Sequence, residues 1–523
     1  MDIPHEMHVA LALVFSFLAL YILHKLVKSN NKEATGSRTP ELPGAWPLVG
    51  HLHLLWGPRP AFRKLGAIAD MLGPVFSLRL GVHRVVVLSS WEAARECLTT
   101  NDSALASRPD IAAGRHMGYN NALLGLAPYG PYLRLIRKTA TLELFSSQRL
   151  KALRPVRSSE IDAFTKELWH RATSGGVAIS EKLEHMTFNM NLKMITGNRY
   201  EDEEFKEVGS DAWRFKKAIN KALYLFGAFV LSDAIPWLEW LDFQGHVRSM
   251  KETGRELDSV LEKWLGQHLE KRSNKEILVD GSDADFMDYL LESLPKDDVV
   301  FGHERKDVIK ATALILILTG TESTSITVTW ALSLLLNHPA ALKLAQQELD
   351  AIIGQDKWVQ ESDLSNLKYL QAIVKETLRL YPPAPMTGIR EAMADCHING
   401  YHVPKGTRVL VNIWKLQRDP RVWPKPDAFC PERFLEEHKE VDLRDQNFEF
   451  IPFSLGRRSC PGATLGLQVV QFTLARILQG FKVSLEEGAG VDMEEGAGIA
   501  LLKVNPLRVA LEPRLPLHLY GSL

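Results

Sequence analysis

The chain has 523 residues, with 62 Lys and Arg against 63 Asp and Glu, for a formal net charge of −1. That balance gives no global electrostatic drive towards nucleic acid or an anionic surface, so any basic patch has to be local. Four cysteines, Cys97, Cys396, Cys430 and Cys460, are too scattered for a disulfide scaffold or a Cys-x-x-Cys site, and free thiols in a reducing compartment are expected.

At the amino end, Val9 to Leu23 is apolar apart from Ser16 and Tyr21. That is near the lower limit of the roughly 17–25 residues that cross a bilayer. Asp2 and Glu6 precede the run and His24, Lys25, Lys28 and Lys32 follow it, the reverse of a cleaved signal peptide. The expectation is an uncleaved anchor over residues 1–28, with everything after it in the cytosol. Residues 29–60 read as a polar linker and then a hinge stiffened by Pro40, Pro43 and Pro47. The remainder, 61–523, reads as one domain, mainly α with a minor β region.

Pro74 to Ser90 alternates and breaks at Gly81, which predicts a hairpin. Helical patterns follow over Trp91–Thr99, Tyr132–Leu142, Ser147–Trp169, Ala212–Leu225, Gly245–Lys271, Val308–Leu336 and Ala340–Ile353. Late strand signals stand in "TRVLVNIW" and "LRVALEPR", and the two "EEGAG" stretches, from Glu486 and Glu494, read as turns. The helix around "LILILTGTESTSITVTW" is apolar all round and belongs inside the protein. Gly320 there costs about 1 kcal/mol relative to alanine, and a buried Glu322 must find partners or water. Both residues need a reason, either a kink that lets Glu322 reach solvent or a functional site.

"FSLGRRSCPG", Phe453 to Gly462, places one cysteine ahead of the amphipathic run "ATLGLQVVQFTLARIL". Gly456 allows a tight turn, and Pro461 suits a first helical position. Beside a helix N-terminus, with Arg457 and Arg458 near, Cys460 is expected to have a depressed pKa and sit as a thiolate. A lone thiolate points to a metal held mostly by something else, such as a porphyrin.

Phe453-x-x-Gly456-x-Arg458-x-Cys460-x-Gly462 resembles the haem-binding loop of cytochrome P450 monooxygenases. "ETLR", with Glu376 and Arg379, and "FCPERF", with Arg433, resemble the structural triad of that family, and Thr319 to Thr324 its oxygen-activation segment. The resemblance covers essentially the whole chain and implies a single haem-thiolate domain behind one transmembrane helix. It implies haem b (iron protoporphyrin IX) with Cys460 as the metal ligand, and Phe453, Gly456 and Gly462 shaping the cofactor loop. Arg137, Arg390 and Arg458 match positions whose guanidinium groups meet haem propionates. Thr319, Glu322 and Ser323 match the catalytic segment, where an alcohol and a carboxylate relay protons to iron-bound O2. The sequence departs from the family pattern at Leu133 (usually Trp), Ser454 (Gly), Ser323 (Thr) and Thr319 (Ala or Gly).

The chain lacks a Gly-rich nucleotide fingerprint, so the resemblance implies electrons from a membrane-bound NADPH-cytochrome P450 reductase, with Arg134, Lys138 and Arg457 as a docking patch. "GAWPLVGHLHLL", "DFQGHVRSMK", "KLQRDPRVW" and "EEGAGIALLKVNPL" are similar to stretches of a plant microsomal clade that includes nicotine N-demethylases and other specialised-metabolite hydroxylases. That implies a single-pass protein of the endoplasmic reticulum membrane, its catalytic domain facing the cytosol. The substrate would be a small lipophilic alkaloid, phenolic or terpenoid, hydroxylated or oxidatively demethylated. Contacts are expected from Met117–Leu126, Ile315–Thr319, Pro385–Gly388 and Ile499–Leu502. The alternatives are a haem-thiolate isomerase or dehydratase, or a non-catalytic haem-binding membrane protein; the retained Glu322 and Ser323 count against both.

Overall fold

The computed structural model describes residues 37–523 apart from 173–175, 202, 275–283, 444–446 and 486–489, and Ser16 alone among the first 36. The anchor expected over residues 1–28 and the start of the first "EEGAG" turn therefore lie outside the described residues. The helices that build the site are α1 (Pro131–Glu143), α2 (Arg154–Ala172), α3 (Ile179–Thr196), α4 (Asp211–Gly227), α5 (His246–Ser273), α6 (Arg305–Asn337), α7 (Lys368–Leu380) and α8 (Ala463–Gly480). The expected hairpin is β1 (Val75–Leu80) against β2 (His83–Leu88), antiparallel, with Val75 opposite Leu88. β3 (Arg390–Glu391) and β4 (Arg408–Val411) complete a four-stranded sheet in the order β1-β2-β4-β3. β5 (Phe481–Ser484) and β6 (Arg508–Pro513) form a second, small sheet with Val177–Ala178. The protein is mainly helical.

Two elements differ from the sequence reading. The helix expected over Ser147–Trp169 is two helices, Ser147–Ala152 and α2, parted at Leu153. Pro155 lacks an N–H and disfavours helical backbone in the residue before it, so the chain restarts there. "TRVLVNIW" stops as a strand at Val411 because Asn412 caps a one-turn helix, its side chain accepting from the Lys415 amide at 3.2 Å.

α6 is buried along most of its length, and α3 lies across it. Gly320 marks the crossing: a Cβ there would stand 2.5 Å from Asn191 Oδ1. Asn191 Nδ2 donates to the Thr187 carbonyl at 2.7 Å, and Thr187 Oγ1 donates to the Thr321 carbonyl at 3.1 Å. The mid-helix glycine is thus a packing requirement. Further along, Trp330 stacks on Tyr381 with ring centroids 4.0 Å apart and donates from Nε1 to the Leu501 carbonyl at 2.7 Å. These contacts hold the 497–502 loop against the central helix.

α7 supplies the buried ionic knot. Glu376 accepts from Arg379 Nε at 2.7 Å, from Arg379 Nη2 at 2.8 Å, from Arg433 Nε at 3.1 Å and from the Cys430 amide at 3.0 Å. The remaining guanidinium hydrogens go to carbonyls of Gln417, Pro426, Ala428, Pro424 and Lys425. Glu376 and Arg379 are fully buried. Removing the single carboxylate would strand two buried cations, which typically costs about 3–5 kcal/mol. Glu376→Ala should lower unfolding stability by about that amount. Chemical denaturation measures it, and a loss under about 1 kcal/mol would mean the knot is not structural.

Candidate active site

The Cys460 loop is built by backbone geometry. Ser454 and Gly456 have φ of 53° and 73°. At Gly456 a Cβ would meet Asp102 Oδ1 at 2.6 Å and the Leu98 carbonyl at 2.7 Å, so both the conformation and the space demand glycine. The Cys460 amide donates to the Phe453 carbonyl at 2.9 Å and the Ser459 amide to the Gly456 carbonyl at 3.0 Å. α8 starts at Ala463 behind Gly462, so Pro461 lies before the helix and not at its first position. A Cβ on Gly462 would touch the Phe145 ring at 3.4 Å.

The Cys460 thiol is accessible although protein surrounds it, and that desolvation pushes its pKa up. The depressed pKa expected from the sequence is therefore overturned for the free thiol. The Gly462 amide and the Arg137 charge act in the expected direction, but burial outweighs them. The neighbouring arginines are engaged elsewhere. Arg457 pairs with Asp102 at 3.1 Å and donates from Nε to the Tyr129 hydroxyl at 3.0 Å. Arg458 Nε donates to the Ala106 carbonyl at 2.6 Å, and its Nη2 to that of Ala127.

An accessible side chain deep in a fold borders an interior space. On α6, Thr319 and Ser323 are accessible, one turn apart, while the residues around them are mostly buried. Gly125 is accessible too, its missing Cβ 3.8 Å from Ile315 Cδ1, and beside α8's Gly466 no atom stands within 4 Å of a Cβ position. Cys460, Thr319, Ser323 and Gly125 are thus accessible just before α8, on α6 and within residues 122–127, and we read the space they share as one chamber. Thr319 Oγ1 donates to the Ile315 carbonyl and Ser323 Oγ to the Thr319 carbonyl, each at 2.7 Å. Both hydroxyls therefore face the chamber as acceptors.

Glu322 does not join them. Its side chain turns into a neighbouring cavity of about 470 Å³ that it shares with Glu184, Lys216 and Tyr224. It has no hydrogen-bond partner among the described residues, and burial first and the Glu184 charge second raise it to about 7. Ile499 and Leu502, expected at the substrate, line that second cavity as well.

The cationic rim is larger than the sequence indicated. Arg137 donates to the Ser459 carbonyl at 2.6 Å and hydroxyl at 3.0 Å. Arg390 is buried, with Nη1 3.2 Å from Asp102 Oδ1 and its Nε without a partner among the described residues. Arg108 joins this group. Its Nε donates to the Gly125 carbonyl at 3.1 Å, and its Nη1 donates to the carbonyls of Ile389, at 2.8 Å, and Gly388. In sequence Arg108 is one arginine before a proline, and nothing local sets it apart.

Burial and mutual repulsion push Arg108 down to about 9 and Arg458 to about 10. Asp102, already shared by Arg390 and Arg457, is the carboxylate paired with this group among the described residues. Desolvated guanidinium groups short of counter-charge, one with an orphaned N–H, call for an anion. An enclosed thiol beside them suits a soft metal centre. The residues present therefore fit an iron porphyrin carrying two propionates.

Residues 40–510 match the cytochrome P450 family model. The chain is similar to dimethylnonatriene synthase of Arabidopsis thaliana, 52% identical over 94% of both chains. It is also similar to a xanthotoxin 5-hydroxylase of the same plant, 46% identical over 97% of this chain and 98% of that one. A nicotine N-demethylase of Nicotiana tabacum is 43% identical over 99% and 100%. Among solved structures, a zebrafish cytochrome P450 with progesterone superposes with a TM-score of 0.73 at 26% identity, covering 87% of this chain and all of that one. The thiol, the cationic rim and the chamber thus occur on a chain that matches one family over nearly its whole length: this protein belongs to the cytochrome P450 family of haem-iron monooxygenases.

Proposed function

We propose that the protein is an anchored haem b monooxygenase that inserts one oxygen atom from O2 into a small, neutral, lipophilic plant metabolite. The observation that carries this reading is that the Cys460 thiol just before α8 and the Thr319 and Ser323 hydroxyls on the central helix α6 are accessible inside the fold. Cys460 would ligate the iron, and Arg108, Arg137, Arg390 and Arg458 would hold the propionates. Phe453, Gly456 and Gly462 would shape the loop against the cofactor. When bound, the haem supplies O2 binding and activation.

The protein's own contribution is to keep that space dry and to manage protons. Ser323 Oγ donates its hydrogen to the Thr319 carbonyl and presents lone pairs to the chamber. A proton taken up there lets the same oxygen donate forward, and the nearest acid along the helix is Glu322. Ile315, Leu124 and Gly125 make the wall apolar and small, and among the described residues no carboxylate is placed there to hold an amine. Within the range of substrates named for its relatives, this favours a terpenoid-like or phenolic molecule over a basic alkaloid.

Electrons would come from NADPH-cytochrome P450 reductase at the outer face of α1 and the Cys460 loop. A cleft of about 420 Å³ there is lined by Arg134, Arg137, Lys138 and Arg457, a basic surface suited to an acidic partner. Residues 1–28 would anchor the chain in the endoplasmic reticulum membrane, 29–60 would form the linker and hinge, and 61–523 the catalytic domain facing the cytosol. The hinge supports this arrangement. Leu52 packs with Ala234 and Ile235, bringing exposed Trp46, Leu48 and Trp56 onto the same part of the molecule as exposed Trp237, Trp240 and Phe243. Such aromatic groups favour the bilayer interface.

Four outcomes are expected. Microsomes holding this protein, reductase and NADPH, fed neutral terpenoids and phenolics, should give a product heavier by one oxygen or a fragment from its breakdown. Cys460→Ser should abolish both that product and the thiolate-type spectrum of the reduced carbonyl complex; a mutant that keeps the spectrum would refute the ligand. Ser323→Ala should raise peroxide released per NADPH about tenfold, and unchanged coupling would remove that hydroxyl from the relay. Deleting residues 1–28 should leave haem binding intact and turn permanent membrane attachment into partial, salt-resistant binding. Complete release would show that the aromatic face does not touch the bilayer.

A further inference from the structure

We infer that Glu184 is a positioning residue for Glu322, and that the cavity they share, on the flank of α6 away from the chamber, is where the proton passed to Ser323 is loaded. This rests on the monooxygenase reading above.

The geometry starts from the hydroxyls. Ser323 and Thr319 each direct their one hydrogen to a backbone carbonyl, so neither can deliver a proton until it is resupplied. Glu322 adjoins Ser323 in the chain but faces the other cavity. That cavity lies between α3, α4, α6 and the 497–502 loop. α3 contributes Glu184 and His185, α4 contributes Lys216 and Tyr224, and α6 contributes Thr321, Glu322 and Ser325. The loop contributes Ala497, Gly498, Ile499, Ala500 and Leu502, none of which titrates. Glu181, further along α3, acts on Glu184 by its charge.

The site is polar where it needs to be. Thr321 Oγ1 is buried with no partner, and Glu322 has no donor among the described residues. Orphaned polar atoms beside a space of about 470 Å³ are what hold ordered water, and water connects a buried acid to solvent. The charges around the cavity have defined roles. Burial raises Glu184 above the ordinary carboxylate range, Lys216 draws it back down and Glu181 adds to the rise. In its ionised form Glu184 favours the neutral form of Glu322, adding to burial. Glu322 therefore holds a proton up to about pH 7 and, by swinging its side chain from this cavity towards Ser323, passes it on near neutrality. Lys216 also contacts His185 Nε2, and both line the cavity.

The sign of the pH effect follows. Neutralising Glu184 removes a like charge, so the Glu322 midpoint falls and less of it is protonated at pH 7. The test is an infrared titration of the protonated-carboxyl band in purified, haem-loaded protein without reductase or NADPH, with the band assigned by its loss in Glu322→Gln. Glu184→Gln should lower the Glu322 midpoint by about one pH unit, and Glu184→Asp should restore most of the shift. Peroxide release per NADPH should rise in Glu184→Gln at neutral pH and return to the wild-type value in mild acid, where Glu322 is protonated in both proteins. An unchanged midpoint in Glu184→Gln overturns the pairing. A lowered midpoint with pH-independent peroxide release overturns the loading role, and leaves the Cys460→Ser result as the separate judge of the monooxygenase reading.

Discussion

Asn191 stands where a side chain on Gly320 would be, and that close approach sets what the central helix can offer on either side. α3 closes over one strip of α6 and leaves two flanks open. Thr319 and Ser323 border the chamber on one flank, while Glu322 and the orphaned Thr321 hydroxyl border the second cavity on the other. A bulkier residue at 320 would push α3 away and merge or close these spaces, because packed interiors do not deform continuously. The alcohol and the acid are therefore neighbours in sequence that occupy different compartments.

Two arginine clusters show how burial and partners separate structure from function. Arg379 and Arg433 have a carboxylate between them, and carbonyls take their remaining hydrogens. Such a cluster is internally complete and holds the polypeptide around residues 424–433 against α7. Arg108, Arg390 and Arg458 have carbonyls but little counter-charge, and burial with mutual repulsion depresses two of them. The same side chain is a brace in one place and is left short of an anion in the other. What decides is whether the protein supplies the anion itself.

The cysteine makes a similar point. Helix-start position and nearby arginines are local features, and they argue for a low pKa. Enclosure is a property of the whole fold, and in the free thiol it dominates. A thiol kept neutral until a cation arrives is compatible with a ligand role, since coordination itself removes the proton.

Much of this was legible in the amino-acid sequence, because much of it is local. The β1–β2 alternation around Gly81, the turn glycine before Cys460 and the helical spacing of Glu376 and Arg379 are each written within a few residues. The sequence by itself thus determined the family, the tight turn before Cys460 and most of the long helices. Tertiary structure decided the rest. α3 escaped notice because both its apolar and its polar residues are buried, leaving little amphipathic period to read. Arg108 became part of the rim through carbonyls nearly 300 residues away, and Glu322 was turned towards Glu184 by the packing of α3 and α4. Spacing along a chain fixes which side chains share a face. What stands opposite that face depends on distant segments, and those contacts set burial, charge and pKa.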